Sequence, residues 1–223
     1  MAAIAVLAAV VLTGCDVSRG PSSDAADEEA TASSSAQSGF TPSEDDEDPA
    51  KDIEGVVVTD YAAALHVEPT VRVAYTKAPP DGGRHDVVWA DCQGTVYPKA
   101  VRNENMVHAL EHGAVWIAYD PDAVKGGDLR ELADRVDGVP YMMLSPYPGL
   151  DAPVSLQAWG HQLKLTDADD ERIDQFVQAL RENPYTAPEP GARCDSQNTG
   201  FDPTNPPPFD PTPPGPGAAP VGP

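Results

Sequence analysis

Apolar and polar positions fall into two regular periods between residues 55 and 193 and are almost unpatterned on either side. Ala114-Val115-Trp116-Ile117-Ala118-Tyr119 is a run of β-formers closed by Asp120-Pro121, and Tyr141-Met142-Met143-Leu144 is a second, closed by Ser145-Pro146. Thr95–Tyr97 predicts a short strand, and Val154–Leu165 a single long one. Helical spacing puts Leu129, Leu132 and Val136 on one face of a helix over Asp128–Val136. It likewise puts Ile173, Phe176, Val177 and Leu180 on one face of a helix over Asp169–Arg181. A compact helix is expected from Asn103, as its N-cap, to His112, with Gly113 as the stop. The order is strand, helix, strand, helix, strand, strand, helix. It predicts one small α/β (α+β) domain with a mixed sheet and about three helices.

That order is also the order of a thioredoxin-like fold, in which Pro153 would take the place of the cis-proline before a strand. No Cys-x-x-Cys is present, so thioredoxin-type redox chemistry is not expected. The flanks read differently. Residues 15–54 are Ser, Ala, Asp and Glu with few large apolar side chains, the composition of an acidic disordered linker. Residues 194–223 are Pro-rich and predict a second disordered stretch. The formal net charge of −22 repels nucleic acid and anionic headgroups, and excludes a nucleic-acid partner.

Before the linker, Ala2 to Leu12 is an apolar run of signal-peptide length, too short to span a bilayer. It ends in Leu12-Thr13-Gly14-Cys15, which matches a bacterial lipobox. Residues 1–14 are thus expected to be a lipoprotein signal, and Cys15 the lipidated residue that anchors the chain to the outer face of the cytoplasmic membrane. No Lys or Arg precedes the run, so the natural start is expected upstream of Met1. Export permits disulfides, and with Cys15 lipidated the remaining pair, Cys92 and Cys194, is expected to bond.

Candidate chemistry rests on five histidines: His66, His85, His108, His112 and His161. His108 and His112 are four apart, on one face of a helix, and can share a metal ion. A third ligand must come from elsewhere. His85, in a Gly-rich loop, is the first choice, followed by His161 and Glu111. Zinc or copper suits neutral imidazole. Met106, Met142 and Met143 could add soft sulfur, but methionines in apolar segments read as core. Competing with the metal reading is a structural one, in which His108 and His112 donate to backbone carbonyls near a helix end. The domain would then be an interaction or assembly module beside other envelope proteins. His108-Ala109-Leu110-Glu111-His112 also fits an inverted zinc-peptidase motif. Gly113 ends that helix at once, and no second helix offers a Glu ligand, so a non-enzymatic domain is the stronger expectation.

Several short motifs coincide with one family. They are Pro79-Pro80-x-Gly-Gly-x-His85, Gly94-Thr-Val-Tyr97, Glu104-Asn-x-Val-His-Ala-Leu-Glu-His-Gly113, Tyr119-Asp-Pro, Leu144-Ser-Pro-Tyr-Pro148, Ala158-Trp-Gly160 and Pro188-Glu189. On these, from about Tyr75 to Glu189, the chain resembles the DUF3105 family of uncharacterised actinobacterial exported and membrane-tethered proteins. Arg84-His85-Asp86 departs from the family, where a second His often stands. The resemblance implies an exported context and carries no assigned activity.

Overall fold

A computed structural model describes residues 39–222. In chain order its strands and helices are β1 (Val57–Val58), β2 (His66–Val67), β3 (Val73–Ala74), β4 (His85–Asp86), β5 (Gln93–Val96), α1 (Asn103–Glu111) and β6 (Val115–Tyr119). There follow α2 (Gly126–Val136), β7 (Met142–Pro146), β8 (Val154–Ala158), β9 (His161–Leu165), α3 (Arg172–Leu180) and β10 (Ala219–Pro220). Among the described residues no helix is long and apolar enough to cross a membrane.

The core is a six-stranded mixed sheet in the order β1-β9-β8-β6-β7-β5. β7 is parallel to β5 and β6, while β8 runs antiparallel to β6. β6 lies at its centre, and the period-two alternation of its side chains explains why all five of its residues are buried. Val115 and Ile117 face one apolar cluster, with Leu132 and Val136 of α2 and Ile173, Phe176 and Leu180 of α3. Trp116 and Ala118 face another, built around Met106, Val107 and Leu110 of α1. Met106, Met142 and Met143 are fully buried in these clusters and act as core.

Four expectations change. The single strand over Val154–Leu165 is a hairpin, because Gly160 takes a φ of +73° and turns the chain between β8 and β9. Arg102 rather than Asn103 is the N-cap of α1, and its side chain is bound to Asp86 and Glu104 instead of capping the helix. The cis peptide bond among the described residues precedes Pro79, not Pro153.

The flanks form the fourth change. The described part of the acidic linker folds onto the domain: Pro49–Asp52 is a 3-10 turn, and Ala50 and Ile53 are buried in the α2/α3 cluster. The Pro-rich stretch is seated too. The Phe209 ring lies 4.7 Å from that of Tyr147, Arg102 N–H donates to the Pro207 carbonyl at 2.9 Å, and β10 pairs in parallel with β3. Two aromatic anchors, Phe209 and Phe201 against Tyr97, and a supply of carbonyls that Pro-rich backbone leaves free suffice to dock it. Arg72 takes several of those carbonyls, Asp210 at 3.0 Å and Thr212 at 2.8 Å.

Candidate metal centre

Helix α1 and the β2–β4 pair build one site. His108 and Glu111 lie three apart on α1, and hence on one face. β2 and β4 are parallel, with His66 directly opposite His85. Residues 104–111 of α1 are all buried. The outcome is a group of His66, His85, His108 and Glu111 whose candidate ligand atoms all lie within 4.8 Å of one another. Nitrogens about 2.0–2.1 Å from one tetrahedral ion stand about 3.3 Å apart, so a modest contraction brings the group to coordination distance.

Backbone carbonyls set the tautomers. His85 Nδ1 lies 2.8 Å from the Gly83 carbonyl, and His108 Nδ1 lies 2.6 Å from the Asp86 carbonyl. A carbonyl only accepts, so both rings donate from Nδ1, and in its neutral form each then offers the Nε2 lone pair to a metal. Such carbonyl partners commonly orient metal-binding imidazoles. Burial, with the neighbouring His85 and His112, pushes His108 down to about 3 and keeps it neutral. Burial works to raise the Glu111 carboxyl. The adjacent His85 and the Ala64 N–H, donating to Oε1 at 2.6 Å, outweigh that and hold it at about 2, ionised.

The consequence is an unbalanced contact. His85 Nε2 and Glu111 Oε2 are 2.9 Å apart, both residues are 0% exposed, and neither atom has an aligned hydrogen-bond partner. With His85 neutral, two lone pairs face each other in this dry site, and the contact becomes favourable only with a cation between them, a metal ion or a proton on Nε2. His66, with its Nε2 4.0 Å from the same oxygen and its side chain 36% exposed, is the solvent-facing member. Three imidazoles and one carboxylate fit zinc or copper(II). The buried methionines supply no sulfur to the site.

Of the residues expected as ligands, His85, His108 and Glu111 are brought together, and His66 takes the place given to His112. His112 donates from Nδ1 to the Arg193 carbonyl at 2.8 Å, with Nε2 3.7 Å from Glu189 Oε2. His161 donates to the Trp159 carbonyl at 2.7 Å and faces Asp48 Oδ2 at 3.2 Å. Both stand outside the group. His66 sits in a two-residue strand outside the dense motifs; only its pairing with β4, nineteen positions on in register, gives it meaning. Cys92 and Cys194 form a disulfide across 102 positions, with Cα atoms 4.9 Å apart. Cys15 and residues 1–14 lie outside the described residues.

Residues 66–196 match the family described as "Protein of unknown function (DUF3105)". The chain belongs to the DUF3105 family. No curated protein and no solved structure matches it. The matched stretch begins on His66 and contains all four members of the group and both disulfide cysteines. Ala64, which orients Glu111, and everything beyond residue 196 lie outside it.

Proposed function

We propose that this DUF3105 protein is a lipid-anchored extracytoplasmic domain that holds a transition-metal ion, zinc first and copper(II) next, at His66, His85, His108 and Glu111. The observation that carries this reading is the buried approach of His85 Nε2 to Glu111 Oε2 at 2.9 Å with no hydrogen bond to balance it. Four protein ligands complete a tetrahedral shell, the pattern of a holding site rather than a catalytic one. Glu111 belongs in that shell: its second oxygen is committed to Ala64 N–H, which leaves it no freedom to act as a general base. His66, the exposed ligand, gives the ion its path in and out.

Metal analysis of untagged protein should find close to one zinc or copper per chain, lost in a His85→Ala/His108→Ala double variant. A wild type that is metal-free and takes up neither ion on dialysis sinks the reading. The anchor is supported by Leu12-Thr13-Gly14-Cys15. Labelled palmitate should enter the native protein and be absent from Cys15→Ala; equal labelling of the two removes the anchor and leaves the metal site standing.

A further inference from the structure

The loop that presents His85 is gripped from two sides. A Cβ on Gly82 would lie 2.3 Å from the Tyr61 ring, and one on Gly83 would lie 2.5 Å from Val221 Cγ2 and 2.6 Å from the Val221 carbonyl oxygen. Both positions therefore admit only glycine, because other segments of the chain press directly on the loop backbone. On the Val221 side the grip is also a hydrogen bond, from Arg84 N–H to the Val221 carbonyl at 2.8 Å. The segment before it is fixed by the β10–β3 pairing, Ala219 opposite Val73, and by Ala219 N–H donating to the Arg72 carbonyl at 2.8 Å. Val73 itself ties β3 to the helix that carries His108: its N–H donates to Glu104 Oε1 of α1 at 2.8 Å.

Gly83 matters because its carbonyl takes the His85 Nδ1–H and so decides which nitrogen of His85 is free. We infer that the end of the chain, Ala219–Val221, is a strap that positions His85 for metal and slows the release of the ion. The inference rests on the metal reading above. Val221 is a positioning residue, two contacts removed from the ion: it sets Gly83, and Gly83 sets the imidazole. Removing the direct hydrogen-bond partner of a metal-binding imidazole changes affinity by about 10–100-fold, and Val221 acts on such a partner, the Gly83 carbonyl. The strap lies outside the family's matched stretch, which ends at residue 196, so this control belongs to the chain's own extension.

The test compares the full chain with a form ending at Gly217 and with Val221→Ala, each loaded with zinc. Release into excess chelator is timed, and the cobalt(II)-substituted absorption spectrum is recorded. The truncated form should lose zinc at least tenfold faster and show an altered cobalt spectrum, with Val221→Ala between the two. Metal-free full-length and truncated forms should melt at the same temperature, since residues 218–222 contribute no large side chain to the core clusters. Equal release rates overturn the strap alone. A truncation that lowers the metal-free melting temperature without changing release shows a merely structural tail and also overturns it. Failure of the full chain to take up zinc or cobalt removes the metal reading, and the strap with it.

Discussion

Glu111 shows most directly what the site asks of a single side chain. Its carboxylate is fully buried, takes one hydrogen bond from Ala64 N–H, and turns its other oxygen to Nε2 of His85. Without a metal this arrangement is costly, because a buried charged group short of partners loses more on desolvation than one hydrogen bond returns. Glu111→Gln inverts the balance. The amide oxygen still accepts from Ala64, and the new N–H₂ donates to His85 Nε2 where the carboxylate could not. The metal-free variant should therefore be more stable than the metal-free wild type, by about 1–3 kcal/mol in urea unfolding. It should at the same time lose most of its zinc affinity. A variant that is less stable than wild type in the absence of metal would show that the carboxylate is satisfied as it stands, and no cation is needed between the two residues.

At the scale of elements, what was legible depended on the length of the periodic segment. β6, β7, α2 and α3 each carry enough apolar residues at a fixed spacing to announce themselves, and the structure has them within a few residues of expectation. The β8–β9 hairpin was hidden because Trp159-Gly160 interrupts an otherwise continuous β-pattern by two residues only. Gly160 turns there because Thr59 closes over it: its carbonyl would sit 2.7 Å from any Cβ at that position, and its N–H donates to the Gly160 carbonyl at 2.8 Å. The site followed the same logic. Helical spacing, a local code, picked out His108 together with His112 and left Glu111 a weaker candidate, whereas the group takes Glu111 and not His112. His66 was not visible, since a two-residue strand has no period, and its partner is chosen by long-range pairing. The Pro-rich stretch escaped for a related reason: its anchors, Phe201 and Phe209, are isolated aromatics, and their receiving surface is made by α1 and the loops beside it.

Over the whole molecule, these short elements must be held together against a net charge of −22, whose self-repulsion favours expansion. The layer on the α1 side of the sheet has little regular structure of its own. It consists of two-residue strands, loops and the extended C-terminal segment, fixed by cross-links distant in sequence. The Cys92–Cys194 bridge is the strongest of them. It closes 102 positions, and beside it Cys92 N–H donates to the Cys194 carbonyl at 3.0 Å. The segment it tethers feeds the end of α1 twice, through the Arg193 carbonyl to His112 and through Glu189 N–H to the Glu111 carbonyl. Closing a loop of this size restricts the unfolded chain by about 3–5 kcal/mol. Such a bond persists in an oxidising compartment, as the proposed location outside the cytoplasm requires. A Cys92→Ser/Cys194→Ser variant, unfolded in urea with metal removed, should lose about 3–5 kcal/mol relative to wild type. The loss should be the same when wild type is instead treated with reductant, because both act on the same cross-link. If stability falls by less than about 1 kcal/mol, the unfolded chain gains little freedom on reduction, and the α1-side layer is held by its core contacts alone.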